Sequence, residues 1–328
     1  MTKEIVDITI IGGGPTGLFS TFYAGMREMS VRIIDSLPQL GGQLMELYPD
    51  KYIYDIGGFP KILAKDFVNN LVEQAEFANP EICLEETVES FEKKDDHFVL
   101  KTNKGEHLTK TILITAGIGA FQPRKLGVDN EEEFEGKSLH YSVPDLQKFK
   151  GEEVLVCGGG DSAVDWALML EEVAKKVTLV HRRDKFRAHE TSVNQLMESR
   201  VDVKTSRQVH ALHGEDGQVT GVTVKSRDGE EETFDLNHVI VNYGNISSLG
   251  PIKDWGLEME RNTIVVNSHM ETNIPGIYAA GDVATYDGKV KLIAVGLGEA
   301  PTAINHAKAY LDPKARVQPK HSTSVFKQ

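Results

Sequence analysis

Cysteine is the scarcest reactive side chain in this 328-residue sequence. The two that occur, Cys83 and Cys157, lie far apart, so they form no CxxC motif, zinc quartet or disulfide framework. Long apolar runs are also missing, since none approaches the roughly 18 residues of a membrane span, and Met1–Glu4 start no secretory signal. These absences exclude disulfide scaffolds and predict a cytoplasmic protein with no membrane partner and no metal site.

Positive charge is in short supply as well. The chain has 36 Lys and Arg residues against 49 Asp and Glu, which gives a net charge of −13. Such a chain is a poor general binder of nucleic acid, so no nucleic-acid partner is expected. With 40% hydrophobic and 26% charged residues the composition is that of a globular protein, and the length predicts about two domains.

The chain contains an internal repeat. Residues 5–17 (IVDITIIGGGPTG) and 153–163 (EVLVCGGGDSA) are each an apolar, strand-like run that ends in a glycine cluster and continues with helical spacing. A polar stretch with hairpin signals follows in each half, at 88–109 and 209–234. This pattern predicts an α/β protein of two Rossmann-like dinucleotide-binding domains, each followed by a three-stranded β-meander.

The spacing Gly12-x-Gly14-x-x-Gly17 has a physical explanation. The first glycine permits the tight turn from strand to helix, the second lets the backbone approach a pyrophosphate, and the third lets helix and strand pack closely. The helix N-terminus then presents N–H groups to the anion. A glycine turn in an ordinary α/β unit is the alternative, but the strand before it and the acid after it favour a dinucleotide site.

The two halves differ at one informative position. Asp35 follows Gly17 by 18 residues, and His181 follows Ala163 by the same spacing. A carboxylate at Asp35 accepts hydrogen bonds from an unmodified adenosine ribose. In the second half the acid is replaced, and three arginines follow that would bind a 2′-phosphate: Arg182, Arg183 and Arg187. A solvated basic loop is the alternative, but the register favours NADPH in the second site.

Motifs along nearly the whole chain resemble the two-dinucleotide-fold flavoprotein reductases typified by thioredoxin reductase. They are GGGPTG, GGQL (41–44), TAG (115–117), GGGDSA, HRRDKFRA (181–188) and AAGDV (279–283). The segment after AAGDV predicts a helix that begins near Pro301. The resemblance implies FAD in the first site, with Asp282 on its ribityl chain or pyrophosphate and the helix of the 297–306 region directed at the flavin. It also implies an inserted NADPH domain, at 118–245, between FAD segments 1–117 and 246–328.

The chain lacks the redox motif of thioredoxin reductases, and this absence restricts its possible activity. Thioredoxin reductases carry a redox CxxC just before the second glycine motif, where this chain has LHYSVPD (139–145). Cys83 and Cys157 are interpreted as packing residues, so a dithiol mechanism is excluded. In lacking this motif, the chain resembles the thioredoxin-reductase-like ferredoxin–NADP⁺ reductases. These are homodimers in which a C-terminal extension covers the flavin.

The resemblance also assigns residues. Tyr48, His321 and Phe326 are the candidates for stacking on the flavin, with Tyr54 behind Tyr48, although a core role for Tyr48 is nearly as well supported. The expected FAD-binding residues are Gly12, Gly14, Pro15, Thr16, Gly17, Asp35, Gln43, Tyr48, Ala116, Gly281, Asp282 and Ser324. The expected NADPH-binding residues are Gly158, Gly160, Asp161, Ser162, Arg182, Arg183 and Arg187.

The implied reaction transfers hydride from NADPH to FAD and then single electrons to ferredoxin or flavodoxin, without side-chain nucleophiles. Four basic residues are candidates for docking the acidic carrier: Lys314, Arg316, Lys320 and Lys327. Two alternatives stay open. One is an NADPH-dependent flavin reductase acting on a quinone, a disulfide or oxygen, and the other is a flavoprotein that senses NADPH without turnover.

Overall fold

The computed structural model describes residues 4–143, 145–319 and 322–324. The chain divides into two compact units. The first unit is made of Met1–Phe121 and Ser247–Gln328, and the second is the intervening segment Gln122–Ile246. The first unit is therefore discontinuous in sequence, because the second is inserted between its two parts.

Strands and α-helices alternate only in parts of the chain, since residues 81–123 and 202–285 contain strands and no α-helix. The strands are β1 (Ile5–Ile11), β2 (Val31–Ile34), β3 (Tyr52–Ile53), β4 (Ile62–Leu63), β5 (Glu81–Cys83), β6 (Val88–Lys93), β7 (Phe98–Thr102), β8 (Gly105–Ile114), β9 (Ala120–Pro123), β10 (Leu139–His140), β11 (Glu153–Gly158), β12 (Lys176–His181), β13 (Asp202–Thr205), β14 (Arg207–Glu215), β15 (Gln218–Ser226), β16 (Glu231–Asp235), β17 (His238–Asn242), β18 (Asn245–Ser248), β19 (Met259–Glu260), β20 (Thr263–Val265), β21 (Ile277–Ala279) and β22 (Ala284–Thr285). The helices are α1 (Pro15–Met26), α2 (Gln43–Leu47), α3 (Ala64–Glu76), α4 (Glu131–Phe134), α5 (Asp161–Glu171), α6 (Glu190–Glu198) and α7 (Ile293–Leu311).

A seven-stranded sheet organises the first unit. Its order is β5-β2-β1-β8-β7-β6, and β21 also pairs with β8. Strands β5, β2, β1, β8 and β21 are parallel, whereas β7 and β6 run antiparallel to their neighbours. Strand β1 is apolar apart from Asp7 and Thr9, and five of its seven residues are buried.

Strand β8 belongs to two structures at once. Its first half, from Gly105 to Thr109, pairs with β7 in the predicted meander. Its last residues, Ile112 to Ile114, pair with β21 in the parallel sheet. The meander of the first unit is therefore continuous with the Rossmann-like sheet.

The second unit keeps these two structures apart. Its parallel sheet has the order β10-β17-β11-β12-β13, and the meander β14-β15-β16 is a separate antiparallel sheet. Asp216 and Gly217 both have positive φ, 55° and 79°, and join β14 to β15. These are the backbone angles of the two-residue hairpin turn that the Asp-Gly pair predicts. The predicted class, two Rossmann-like units each with a meander, is confirmed.

Each unit has its own apolar core. In the first, Ile8, Ile10 and Ile112 pack with Tyr278 and Ile304, all of them at most 1% exposed. In the second, Val156, Val164 and Leu179 form a corresponding fully buried cluster. In the described part of the chain, no helix combines the length and apolar character needed to cross a bilayer.

Helix α7 corrects one expectation from the sequence. The helix was expected to begin near Pro301, but it begins at Ile293 and contains Pro301 in its middle. Pro301 has no N–H to donate to the carbonyl four residues earlier, which makes it a common first residue and a rare interior one. Buried residues on both sides of it, including Gly296, Ala300 and Ile304, hold the helix across that position.

Candidate functional site

The first glycine turn lies between β1 and α1 and has almost no free space on its inner side. Gly12 has φ of +109°, and a Cβ there would lie 2.6 Å from the carbonyl oxygen of Thr115, the residue that follows β8. A Cβ on Gly17 would lie 2.0 Å from the carbonyl oxygen of Gly12. A Cβ on Gly14, in contrast, would meet nothing within 4 Å, so the backbone of Gly14 faces open space. This is the arrangement that a pyrophosphate requires.

Asp35 lies at the end of β2 beside this turn. Its side chain is 8% exposed and accepts hydrogen bonds from the backbone N–H groups of Gly13, at 2.5 Å, and Leu37, at 2.9 Å. Burial raises the pKa of the Asp35 carboxyl, although the two hydrogen bonds oppose that effect. Asp35 therefore orders the glycine turn and also lines the adjoining cleft.

A cleft of about 310 Å³ opens beside these residues, entirely within the first unit. Ten of the sequence-predicted FAD residues line it: Gly12, Gly14, Pro15, Thr16, Asp35, Gln43, Tyr48, Ala116, Gly281 and Asp282. Its volume is in the range of small-molecule and cofactor sites. No side chain caps the N-terminus of α1, so the first N–H groups of that helix are not taken by a capping residue.

Two predicted FAD residues are not among those that line the cleft, Gly17 and Ser324. Gly17 has a different position. It packs under the turn against Gly12, as the third glycine of such a motif should. Its role is therefore close packing of helix and strand rather than contact with a ligand.

The Gly41-Gly42 segment brings Gln43 and Tyr48 to the same cleft. The N–H of Gly41 donates to the carbonyl oxygen of Gly13 at 2.9 Å, which ties the segment to the glycine turn. Tyr48 ends α2 and is half-buried at the cleft wall, and burial raises its pKa, with further contributions from Asp282 and Asp55. Tyr54 is 69% exposed and does not line the cleft.

A buried ion pair supports the Gly281-Asp282 turn, and the sequence analysis did not identify it. Glu299, in the middle of α7, accepts the N–H of Gly281 at 2.7 Å and the hydroxyl of Tyr286 at 2.7 Å. Its other partner is Lys289, and the two side chains are 5% and 4% exposed. Thr16 packs between Gly281 and Gly296, since a Cβ on either glycine would lie within 3 Å of its hydroxyl oxygen. The network thus joins α1, the turn and α7 around one side of the cleft.

The second unit repeats the glycine turn between β11 and α5. A Cβ on Gly158 would lie 2.5 Å from the carbonyl oxygen of Asn242, whereas one on Gly160 would meet nothing within 4 Å. Asp161 and Ser162 begin α5 and are exposed, and the Asp161 carboxylate accepts the backbone N–H of His189 at 2.8 Å. Gly160 therefore presents an open backbone, as Gly14 does in the first unit.

His181 closes this second turn on its inner side. A Cβ on Gly159 would lie 2.2 Å from the imidazole of His181. That ring stacks on Phe186, and its Nε2 donates to the carbonyl oxygen of Lys185 at 3.1 Å. Burial lowers the pKa of His181, and the nearby arginines add to the effect, which favours the neutral ring.

The loop that follows His181 carries Arg182, Arg183 and Arg187, all of them exposed. Within residues 4–143, 145–319 and 322–324, none of the three forms an ion pair with a carboxylate. The acid between them, Asp184, instead accepts a hydrogen bond from the hydroxyl of Ser206. The loop is held by a bond from the N–H of Arg187 to the carbonyl oxygen of Gly159, at 2.7 Å. Three guanidinium groups are thus carried by an ordered loop next to the glycine turn.

Several tail predictions fall outside what the structure describes. His321 and Phe326, and with them Lys320 and Lys327, lie outside the described residues. The backbone of Ser324 belongs to a short 3₁₀ turn, Ser322–Ser324, but its side chain is not among those described. The chain just before the tail is anchored, because Arg27 donates to the carbonyl oxygens of Arg316, at 2.9 Å, and Val317.

Neither cysteine has the surroundings of a redox thiol. Both are free, Cys157 is fully buried, and burial raises the pKa of its thiol. Burial likewise raises the pKa of Cys83 to about 11, with Glu81 contributing next. Both thiols therefore stay protonated near neutral pH, which disfavours disulfide exchange.

Comparison with known proteins shows the family. The model of the pyridine nucleotide-disulphide oxidoreductases matches residues 6–307. A ferredoxin–NADP reductase of Geobacillus thermodenitrificans is 60% identical over 99% of this chain and 98% of its own length. Ferredoxin–NADP reductase 2 of Bacillus subtilis is 61% identical over 98% of both chains.

Solved structures agree in fold. Thioredoxin reductase of Lactococcus lactis superimposes with a TM-score of 0.77 at 29% identity, covering 93% of this chain and 99% of that one. Thioredoxin reductase of T. acidophilum gives a TM-score of 0.77 at 30% identity, covering 94% and 98%. Both glycine turns described above lie within the matched region. The chain belongs to the pyridine nucleotide-disulphide oxidoreductase family.

Proposed function

We propose that this protein is a ferredoxin–NADP reductase that holds FAD in the first unit and binds NADPH in the second. The observation that carries the proposal is the pair of glycine turns of matching geometry, with Asp35 beside the first and three exposed arginines beside the second. Relatives named ferredoxin–NADP reductase at 60% identity over the full chain support it. The FAD segments are 1–117 and 246–328, and the NADPH segment is 118–245.

The residues around the first cleft fit FAD. The open backbone at Gly14 and the uncapped N-terminus of α1 suit a pyrophosphate, and Asp35 suits a ribose without a 2′-phosphate. Gly281 and Asp282 would hold the middle of the cofactor, and Tyr48 would cover the flavin at the cleft wall. Pro15, Thr16, Gly17, Gln43, Ala116 and Ser324 complete the proposed set.

The residues of the second turn fit NADPH. Gly158, Gly160, Asp161 and Ser162 would hold its pyrophosphate at the start of α5, where no side chain caps the helix. Arg182, Arg183 and Arg187 would bind the 2′-phosphate, because guanidinium groups form charge-assisted hydrogen bonds with phosphate oxygens. The absence of an acid at position 181 removes the repulsion that a carboxylate would cause.

Bound FAD would supply the conversion between hydride transfer from NADPH and single-electron transfer to a carrier protein. The chain's own residues position the two cofactors and need not act as nucleophiles. The two protonated, unpaired cysteines give no dithiol through which electrons could pass. Reduction of a disulfide substrate by a thioredoxin-reductase mechanism is therefore not part of the proposal.

The carrier is ferredoxin or flavodoxin, and the proposed form is a cytoplasmic homodimer. Carriers of this kind are acidic, so docking on a chain of net charge −13 needs local basic groups. Lys314 and Arg316 are exposed on the segment that Arg27 anchors, and Lys320 and Lys327 follow them in the sequence. His321 and Phe326 are the tail candidates for covering the flavin face opposite Tyr48.

NADPH-driven reduction of cytochrome c tests this function. The purified protein is assayed with and without ferredoxin, and again with NADH in place of NADPH. A large ferredoxin-dependent rate with NADPH, and little with NADH, is expected. A rate that ignores added ferredoxin or flavodoxin would instead indicate a reductase of small acceptors. Absence of repeated turnover with any acceptor would indicate a flavoprotein that senses NADPH.

A further inference from the structure

Two histidines and one glutamate converge on the surface of the first unit, away from the residues that line the cleft. In His269, Glu271 and His306, one potential ligand atom from each lies within 4.8 Å of the other two. We propose that these three residues, here called the His-Glu-His cluster, bind one divalent transition-metal ion of the Zn²⁺ class. The sequence analysis predicted no metal site.

The fold holds the three side chains from two ordered segments. His306 is half-buried on α7, fourteen residues into a nineteen-residue helix. His269 and Glu271 come from the turn before β21 and flank Met270, which is buried and has φ of +62°. A left-handed conformation is uncommon for a residue other than glycine. It lets Met270 enter the core while its two neighbours lie beside His306.

Hydrogen bonds fix the turn that carries two of the ligands. The side-chain oxygen of Asn267 accepts the N–H groups of His269, at 2.8 Å, and Glu271, at 3.0 Å. The side-chain nitrogen of Asn267 donates to Oε2 of Glu271 at 2.7 Å. A partner of this kind orients a ligating carboxylate and commonly changes metal affinity tenfold or more when removed, on the order of 10–100-fold. The cluster thus has an outer support as well as three ligands.

The donor set matches a borderline divalent ion. Imidazole nitrogen suits Zn²⁺, Cu²⁺ and Ni²⁺, and a carboxylate oxygen completes three protein ligands that leave positions for water. The two imidazole rings now stack, with centroids 4.0 Å apart and planes 13° apart. Ligand atoms around a tetrahedral Zn²⁺ lie about 3.3 Å apart, given bonds of about 2.0 Å. Rotation of the exposed His269 side chain supplies the required change.

A second group, Glu81, Cys83 and His107, has similar spacing and is the weaker candidate. Nε of Arg32 donates to Oε2 of Glu81 at 2.7 Å, which places a fixed positive charge at that site. Nε2 of His107 is already 2.7 Å from Oε1 of Glu86. In contrast, no Lys or Arg in the described ranges forms an ion pair with Glu271, whose ion-pair partner is His269.

Binding would connect the turn at 267–272 to the C-terminal half of α7. The N-terminal residue of the same helix, Ile293, lines the cofactor cleft. An ion that binds the folded protein and not the unfolded chain raises the midpoint of thermal unfolding. Added Zn²⁺ should therefore stabilise the first unit without requiring any change at the cleft.

Calorimetric titration of the tag-free, FAD-loaded protein with ZnCl₂ tests the site. The parent protein and all variants carry Cys83→Ser, so that the group of Glu81, Cys83 and His107 cannot contribute a thiolate. We expect one ion per chain, and affinity reduced at least about tenfold in His269→Ala and in His306→Ala. His210→Ala is the matched control, because His210 is exposed and has a carboxylate neighbour, Glu231, at 3.7 Å but no second imidazole in its ion pair.

Thermal unfolding with and without Zn²⁺ gives the second readout. The midpoint should rise in the parent and in His210→Ala, and should change little in His269→Ala. His269 is exposed, so this variant keeps the test valid if His306→Ala does not fold. Unchanged affinity in His269→Ala, or loss of binding caused by Cys83→Ser alone, would overturn the proposal.

Discussion

The two glycine turns use one backbone arrangement and differ in what closes them. In each cluster of three glycines, the first lies against a carbonyl oxygen at the end of the adjacent strand, that of Thr115 or of Asn242. The last of the three, Gly14 or Gly160, faces open space. The middle glycine of each cluster is covered by Leu40 and Asp35 at Gly13 in the first unit and by the ring of His181 at Gly159 in the second. The two units therefore share the backbone geometry of the turn and differ in the charge of the residue that follows β2 or ends β12, a carboxylate at Asp35 and an imidazole at His181.

The largest effect is expected at the buried ion pair of the first unit, which has no counterpart among the described residues of the second unit. Glu299→Gln keeps a polar group near the N–H of Gly281 but leaves Lys289 as an uncompensated buried charge. Removing one partner of a buried ion pair costs about 3–5 kcal/mol. The free energy of unfolding measured in urea and the flavin-to-protein absorbance ratio should both be lower than in the parent.

The double variant Glu299→Gln with Lys289→Met is the control for that charge. It removes the unpaired ammonium group and should recover part of the lost stability. If the double variant is as unstable as the single one, the effect comes from packing and not from the buried charge.

The next largest effect should distinguish the third position of the two glycine motifs, which is Gly17 in the first unit and Ala163 in the second. In Gly17→Ala the new methyl group would lie 2.0 Å from the carbonyl oxygen of Gly12, so we expect a loss of up to about 3 kcal/mol and poor FAD retention. The second unit already has Ala163 at this position, and Ala163→Gly should cost no more than about 1 kcal/mol. Thermal unfolding measures both, and equal losses would contradict the comparison.

The second unit should lose stability in acid because of a pair of histidines, of which His140 is buried and His238 is half-buried. Nε2 of His140 lies 3.3 Å from Nδ1 of His238, and burial lowers the pKa of His140 to about 4, with Lys148 and His238 contributing less. The unfolded chain binds a proton below about pH 6.5, whereas the folded chain does so only near pH 4. Stability is therefore fully present above about pH 6.5 and falls by about 2 kcal/mol by pH 5.

His140→Gln should flatten this dependence in denaturant unfolding measured between pH 7 and pH 5. Stability at pH 7 is expected to change as well, so the slope against pH is the quantity to compare. A variant with the parent slope would show that other groups cause the acid response.

The smallest effect concerns the arginine loop. Arg187→Ala should lower kcat/KM for NADPH about tenfold, the equivalent of one charge-assisted hydrogen bond, and leave that for NADH nearly unchanged. Arg227→Ala is the matched control, because Arg227 is exposed in the same unit but lies on the hairpin after β15. Equal losses with both cofactors would exclude recognition of the 2′-phosphate by Arg187.

Local patterns predicted the two turns, the meanders and most of the cleft. Glycine spacing, the Asp216-Gly217 turn and the strand before each glycine cluster act over a few residues, so the sequence shows them directly. The start of α7 was predicted wrongly near Pro301, because packing of the residues before the proline outweighs the lost hydrogen bond.

Long-range contacts explain what the sequence did not show. Glu299 and Gly281 are separated by 18 positions, and His306 and Glu271 by 35, with no motif to connect them. Helical spacing alone gave no reason to place a buried carboxylate on α7, because the partner that neutralises it, Lys289, comes from a different segment.

Because β8 belongs both to the parallel sheet and to the meander, local unfolding should differ between the two units. In the first unit, breaking the parallel pairing of β8 also removes one edge of the meander, so backbone amides in β6, β7 and β1 should exchange with solvent deuterium at one common free energy. In the second unit the meander is a separate sheet, so β14–β16 can exchange by an opening that leaves β11 and β12 protected. We therefore expect one cooperative folding unit in the first case and two in the second.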